Sequence, residues 1–361
     1  MSPSRRSRDL DEDDVRVRPS RGSRPRTKER PAHDSAVTGV VVTVDRGRCT
    51  CRVGDVEVTA MKARELGRRS VVVGDRVDLV GDVSGRADSL ARVVRVQPRR
   101  STLRRTADDT DPVERVLVAN ADQLVVVTAL ADPTPRTRLI DRCLVAAYDA
   151  GLRPLLCLTK PDLAPPDELL STYRALDVDH VVVAKGGPLD HLVAHLADRT
   201  SVLVGHSGVG KSTLVNALVP GAGRATGGVN AVTGRGRHTS SSAIALALPG
   251  GGWVIDTPGV RSFGLAHVDL SRVIGAFPDL EPGTADCPRS CSHDEPECAL
   301  DAWVASGHSD PARLASLRRL LRSRDQEEEP DRAQPDRTPP DQTPPDETPP
   351  DQTPPDQTPP G

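Results

Sequence analysis

Hydrophobic positions change their period twice along the chain. Between residues 37 and 97 they come in short runs that predict strands over 37–44, 49–53, 56–60, 75–80 and 92–96, punctuated by Gly-Asp, Gly-Arg and Ser-Gly turns. Five short strands in such a stretch suit a small closed barrel of the OB type, which composition alone does not separate from an SH3-like barrel. From residue 113 strands alternate with helices. Strands are expected at 123–128, 155–158, 180–184, 201–204, 243–248 and 253–256, and helices at 138–149, 189–196 and 211–218. The first helix carries Leu139, Ile140, Cys143, Leu144 and Ala147 on one face. Apolar strands of this kind, buried on both faces, indicate an α/β unit with a largely parallel sheet. A cysteine-rich segment follows residue 269, and then a basic helix over 311–324.

The two ends have no such period. Residues 1–35 mix Arg, Ser, Pro and Asp and read as a disordered arm. From Thr338 the chain repeats Thr-Pro-Pro-Asp-Gln, with one Glu variant, so 326–361 reads as an extended, partly polyproline spacer. The expected organisation is therefore arm (1–35), barrel (36–98), α/β domain (112–268), cysteine-rich module with basic helix (269–325) and tail (326–361).

Charge sharpens this division. The whole chain carries −3, but residues 325–361 hold 11 acidic and 2 basic residues, which leaves +6 for residues 1–324. A basic body behind an acidic tail keeps an anionic partner such as nucleic acid open. No apolar run approaches the roughly 20 residues needed to span a bilayer, so no membrane role is expected. Residues 1–30 have no apolar centre, so no signal peptide is expected either. Seven cysteines, three of them within 287–298, argue against a secreted disulfide scaffold and for a reduced, cytoplasmic protein with a metal site. With two each of Phe, Trp and Tyr, the core must be built from Val, Leu, Ile and Ala.

The strongest motif is Gly205-His206-Ser207-Gly208-Val209-Gly210-Lys211-Ser212, followed by Thr213. It is a complete GxxxxGK[ST] phosphate loop between an expected strand and an expected helix. Its glycines let backbone N–H groups turn onto phosphate, with the helix N-terminus behind them. Lys211 reaches the β- and γ-phosphates, and Ser212 is a Mg²⁺ ligand. Asp256-Thr257-Pro258-Gly259 suits a DxxG element, with Asp256 on Mg²⁺ through water and the Gly259 N–H on the γ-phosphate. Thr159-Lys160-Pro161-Asp162 matches the guanine-reading [N/T]KxD pattern, in which the Asp162 carboxylate accepts from guanine N1 and N2 while the Lys160 stem covers the ring. Adenine would leave that carboxylate unpaired. Thr159 replaces the commoner Asn and loses an amide that would bond guanine N7 and neighbouring loops, so weaker affinity with retained specificity is expected. In Val183-Ala184-Lys185 the Ala184 N–H stands where a contact to guanine O6 is expected.

These motifs run in an unusual order, with the base-reading pieces before the phosphate loop and DTPG last. Nucleotide loops all lie at the carboxyl ends of parallel strands, so a circular permutation restores the site. Further on, Cys287, Cys291, His293 and Cys298 form a Cys₃His set, complete for one structural Zn²⁺ with no open position. A redox pair or loose thiols are the competing readings. Cys49, Cys51, Cys143 and Cys157 read as core thiols.

A small barrel, a permuted GTPase with GHSGVGKS, RHTS and DTPGV, and a C-x₃-C-x-H-x₄-C module together resemble the small ribosomal subunit biogenesis GTPases of the RsgA family. The resemblance covers residues 36–325, although each outer zinc gap is one residue shorter than is usual in the family. It implies a circularly permuted P-loop GTPase domain (α/β) with an N-terminal OB-type barrel and a C-terminal zinc module. It also implies binding to the 30S subunit and its 16S rRNA, and hydrolysis of GTP to GDP as an assembly checkpoint, by a monomer. Thr239 falls at the switch threonine that senses Mg²⁺ and the γ-phosphate. Val260 stands where other GTPases orient water with Gln, and an apolar side chain cannot do so. His238 is at the position the family is thought to use instead, so Lys211, His238 and Thr239 form the expected catalytic group. His206 is expected to be exposed filler.

An RNA footprint is sought in Arg86, Arg92, Arg95, Arg99, Arg100, Arg104 and Arg105, and in Arg313, Arg318, Arg319, Arg322 and Arg324 of the terminal helix. The barrel has no aromatic residue, so folded RNA read by shape and backbone is the expected target. An ATPase or nucleotide kinase, and a non-catalytic RNA scaffold, remain as alternative readings.

Overall fold

The computed structural model describes residues 33–45, 47–66, 71–105, 115–223, 243–257, 265 and 267–325. Strands β1 (Val37–Asp45), β2 (Arg48–Val53), β3 (Val56–Lys62), β4 (Arg76–Gly81) and β5 (Ala91–Val96) pair in the order β1-β2-β3-β5-β4, and β4 returns to β1. The barrel is therefore closed, with its β3–β5 pair parallel, which is the OB arrangement. Alternation sends Val41, Cys49, Cys51, Val58, Val77, Leu79 and Val93 inward into a small apolar core. Closure also removes the open edges that five short strands would otherwise expose.

A hairpin of β6 (Thr102–Arg105) and β7 (Arg115–Ala119) leads out of the barrel. Sequence reasoning missed it, because Arg104 and Arg105 look like surface rather than strand. Its junction with the barrel depends on Gly74, whose φ is +87° and whose Cβ, were there one, would lie 2.0 Å from the Ala119 carbonyl oxygen. Next to it Asp75, fully buried, accepts from the Val72 N–H at 2.8 Å and from Arg99 Nε and Nη2 at 2.7 and 2.9 Å. Asn120 closes the seam by donating to the Gly74 carbonyl at 2.9 Å and accepting from the Arg100 N–H at 2.8 Å. A buried carboxylate held by a two-pronged guanidinium fixes the barrel's orientation.

The α/β part holds β8 (Gln123–Ala129), β9 (Arg153–Thr159), β10 (Asp179–Val183), β11 (Thr200–Val204), β12 (Ile244–Ala247) and β13 (Trp253–Asp256), in the order β10-β9-β8-β11-β13-β12. All but β12 are parallel. β12 carries the sheet on to the barrel through one paired position, Thr43 against Ile244. Period-2 alternation fills both faces. Val125, Val127, Leu155, Cys157 and Val254 face α3 (Asp190–Leu196) and α4 (Lys211–Leu218). Leu124, Val126, Leu156, Val202 and Ile255 face α1 (Thr137–Asp149).

Helix α1 is buried on more than the one face its periodicity predicts. Ile140 through Ala147 are all buried, Asp141 and Arg142 included, because α5 (Leu270–Ile274) and α7 (Pro311–Asp325) cover its outer side. Phe277, Leu280, Leu300, Leu314, Leu317 and Leu320 belong to the same core cluster as α1, so the cysteine-rich region shares the α/β core. Two further helices, α2 (Asp167–Tyr173) and α6 (Ala299–Ala305), are too short for their periodicity to register in the sequence.

Candidate functional site

Parallel pairing sets the carboxyl ends of the strands side by side. Val183 is in register with Thr159, Ala129 with Thr159, Val204 with Val126, and Leu203 with Asp256. The turns that begin at Ala184, Lys160, Gly205 and Thr257 therefore crowd one edge of the sheet, although the chain visits them out of the usual order. Gly205 crosses so close to β8 that a Cβ would lie 2.3 Å from the Val127 carbonyl oxygen. Gly208 and Gly210 have φ of +81° and +91°, which turns successive N–H groups to one side. Val209, 3% exposed, staples the loop into the core.

Lys211 opens α4 and donates from Nζ to the Thr257 carbonyl at 3.1 Å, with Asp256 Oδ1 3.5 Å away. Asp256 is 2% exposed, a carboxylate buried beside a cation at the mouth of the phosphate loop. Thr257 is held by its hydroxyl, which donates to the Leu203 carbonyl at 2.8 Å. His206 is half-buried rather than the exposed residue expected, with Nδ1 2.8 Å from the Ser207 carbonyl.

On the base-reading side Asp162 is exposed in the turn after β9, and Ala184 is exposed at the end of β10. Lys160, at a φ of +57°, donates from Nζ to the Asp132 carbonyl, with the Asp132 carboxylate 3.7 Å away. Nothing in the sequence pointed to Asp132, because it belongs to no motif. Thr159 keeps a contact that the sequence reading took as lost: its hydroxyl lies 2.7 Å from the Val209 carbonyl of the phosphate loop. His238, Thr239, Gly259 and Val260 lie outside the described residues.

The second cluster is Cys287, Cys291, His293 and Cys298, whose ligand atoms all lie within 4.8 Å of one another. Cys287 Sγ is 3.8 Å from Cys298 Sγ and 3.6 Å from His293 Nδ1, and Cys298 Sγ is 3.8 Å from the same nitrogen. These three are the edges of one face of a tetrahedron with metal bonds of about 2.0–2.3 Å, and with Cys291 within 4.8 Å the four groups are placed to hold a zinc-sized ion. Left-handed backbone at Ser290 and His293 turns the loop inward. Burial holds His293 below its ordinary pKa and so in the neutral form that a ligand requires. Glu295 accepts two contacts from the Ser292 N–H at 2.9 and 3.0 Å, and that backbone donor holds its carboxyl down at about 2.

Four arginines of α7 are not the open surface that the sequence reading sought. Arg313 pairs with Asp279 at 2.7 Å, Arg319 with Asp141 at 3.1 Å, and Arg322 with both oxygens of Asp294 at 2.7 Å. Arg318 grips Asp301 at 2.8 and 2.7 Å and donates from Nε to the His293 carbonyl at 2.9 Å. Carboxylates supplied by four other segments pair with these four arginines and brace the cysteine loop. The sequence hides this, because each partner lies far along the chain. In the barrel, Arg99 and Arg100 are similarly engaged with Asp75 and Asp122, whereas Arg48, Arg86 and Arg92 stand on exposed positions.

A family model described as RsgA GTPase matches residues 96–266. The small ribosomal subunit biogenesis GTPase RsgA of Pseudomonas aeruginosa is 40% identical over 264 residues, covering 70% of this chain and 76% of that protein. Its namesake in Chlorobaculum parvum is 37% identical over 303 residues, 81% of this chain and 96% of that protein. The crystal structure of YjeQ from Thermotoga maritima superposes with a TM-score of 0.59 at 25% identity, over 80% of this chain and 98% of that one. The fold is also that of YloQ, a circularly permuted GTPase, with a TM-score of 0.58 at 23% identity, over 82% of this chain and 98% of that one. With its barrel, its permuted nucleotide edge and its cysteine module accounted for together, this chain belongs to the RsgA GTPase family.

Proposed function

We propose that this chain is a ribosome-assembly GTPase that binds the 30S subunit through its 16S rRNA and hydrolyses GTP when the subunit stimulates it. One observation carries the reading: a phosphate loop and a TKPD turn meet at the same sheet edge in permuted order. GTP lies along that edge, its phosphates on the N–H groups from Gly205 to Thr213 and its base on Asp162, under the Lys160 stem and beside the Ala184 N–H. Ser212, Asp256 and Thr239 would hold Mg²⁺, which supplies charge neutralisation at the β- and γ-phosphates. Lys211, now turned to Thr257 and Asp256, swings to the phosphates. Gly259 senses the γ-phosphate, and His238 orients the attacking water. The Cys₃His set carries a structural Zn²⁺ that orders residues 287–298.

Ribosomal RNA is met by the barrel rather than by α7. Arg48 and Arg92 both lie in register with Met61 on the outer surface of β2, β3 and β5, and all three are exposed. Guanidinium groups spaced across a small barrel suit backbone phosphates of folded RNA. Among the described residues no helix is long and apolar enough to cross a membrane. The proposed place of action is the cytoplasmic ribosome, and the proposed acting form is a monomer.

The test is GTP turnover by the full chain alone, with 30S subunits and with 50S subunits. Low intrinsic turnover and a large stimulation by 30S alone is the expected result. Equal turnover in all three conditions refutes the ribosomal reading, and preference for ATP refutes the assignment of the base site.

A further inference from the structure

A strongly acidic segment begins where α7 ends. Residues 326–361 carry 10 acidic and 2 basic side chains, a net −8 over 36 residues. From Asp336 a carboxylate recurs every fifth residue, at Asp341, Asp346, Asp351 and Asp356, each of these four behind a pair of prolines. Ala333 is the one aliphatic side chain besides proline. With so little to bury, recognition of this segment is left to charge.

Helix α7 offers it little, because Arg313, Arg318, Arg319 and Arg322 already hold carboxylates of their own. The barrel offers more. Arg48 on β2 and Arg92 on β5 are both in register with Met61 on β3, so the three side chains form one outward row. Its two guanidinium groups start from backbones two strand spacings, about 10 Å, apart. All three residues are exposed, and among the described residues no ion pair engages either arginine. Reach is not limiting. At about 3.1 Å per residue the segment spans up to about 110 Å, whereas a body of this size is about 50 Å across. Tethering also offsets the weakness of each contact, since an attached segment acts at an effective concentration on the order of 1 mM.

We infer that residues 326–361 dock on the Arg48–Met61–Arg92 face of the barrel as a polyanion, which RNA must displace in order to bind there. The inference rests on the proposed RNA face and adds its regulation. A carboxylate meets a guanidinium through the same charge-assisted hydrogen bonds as a phosphate does, so the two compete for one surface. RNA held by the barrel alone is then turned away, while a partner that also grips other parts of the chain displaces the segment.

The experiment compares the full wild-type chain with a full-length chain whose acidic residues at 327–329, 331, 336, 341, 346, 347, 351 and 356 are changed to their amides, Asp→Asn and Glu→Gln. Each is made with and without Arg48→Ala and Arg92→Ala together, and melting curves establish that all four are folded. The probe is a short RNA hairpin, read by fluorescence anisotropy. The amide chain should bind it about 3- to 10-fold more tightly at low salt, as removal of a tethered weak competitor predicts. That gap should close near 0.3 M salt, where screening acts within about 6 Å, and should vanish when Arg48 and Arg92 are absent. A second readout needs no RNA. In the ¹⁵N-labelled full chain, amide signals of 326–361 should shift on Arg48→Ala with Arg92→Ala, and the same shift should follow from salt. Equal affinity of the wild-type and amide chains at low salt overturns the inference. So does an equal gap in the chains lacking Arg48 and Arg92, which means general repulsion or docking on the arginine-rich arm 1–35. Tail signals indifferent to the two arginines overturn it as well. If no chain binds RNA while those signals still depend on Arg48 and Arg92, it is the RNA reading of the barrel that fails.

Discussion

Replacing Arg319 by Met separates a structural clamp from an RNA contact. Arg319 Nε lies 3.1 Å from Asp141, its Nη1 donates to the Thr172 carbonyl at 3.0 Å, and its guanidinium stacks 5.0 Å from the centre of the Tyr173 ring. Burial pushes the Asp141 carboxyl up, and Arg319 is the group that pulls it back. Removing one partner of a buried pair costs about 3–5 kcal/mol. The Arg319 side chain is 33% exposed, so solvent screening lowers that to roughly 2–3 kcal/mol. In a chain of this size the loss lowers Tm by about 4–12 °C, read by calorimetry or circular dichroism. The pH dependence has a definite sign. With Arg319 gone, the folded-state pKa of Asp141 rises further above its unfolded value, so the folded state binds the proton more tightly. The deficit is then full above the raised folded pKa and shrinks as pH falls through it towards the unfolded value. Asp141→Asn in the same chain should recover at least half of the lost stability, since the stranded charge is gone. A Tm within about 1 °C of wild type, together with weakened 30S binding, would refute this and return α7 to the RNA surface.

Three further outcomes are expected. Asp162→Asn should shift preference from GTP to xanthosine triphosphate, because the amide complements the xanthine O2; retained GTP preference in a competition assay removes Asp162 as the base reader. Chelation, or Cys298→Ser, should unfold 287–298, seen as new protease cleavage in that loop, since binding energy in such modules is folding energy; protein purified without chelators should carry one zinc per chain by elemental analysis. His238→Ala should keep nucleotide affinity and GTP-dependent 30S binding while stimulated turnover falls by about 10²-fold or more, as on loss of a positioned general base. Near-normal turnover would move that role to ribosomal RNA or to backbone groups.

Much of the fold could be read from local pattern. Alternation in 37–97 marked all five barrel strands, and the strand-loop-helix setting of GHSGVGKS located β11 and α4, because these signals act within a few residues. What could not be read depends on partners far away. The OB order rather than an SH3-like one follows from a parallel β3–β5 pair, which no local period encodes. Arg318 and Arg322 look like solvated charge until Asp301 and Asp294 are placed beside them. Asp132 near Lys160 and the Thr159–Val209 contact arise from loops 28 and 50 residues apart. At the site, residue types and spacing announced the chemistry, and the way its loops are braced came only from the fold.

The burial of α1 on both sides has a consequence for how the chain is made. Arg142 donates to the carbonyl of Ser323, a residue 181 positions later. At about 5–20 residues per second, the ribosome needs roughly 10–35 s to deliver that partner after α1 has emerged. Throughout that interval the helix can settle on the sheet, but Val145 and the Asp141 carboxylate have no cover. The nascent protein therefore carries a sticky, partly charged helix face until α7 arrives, a window in which chaperones have a defined surface to hold.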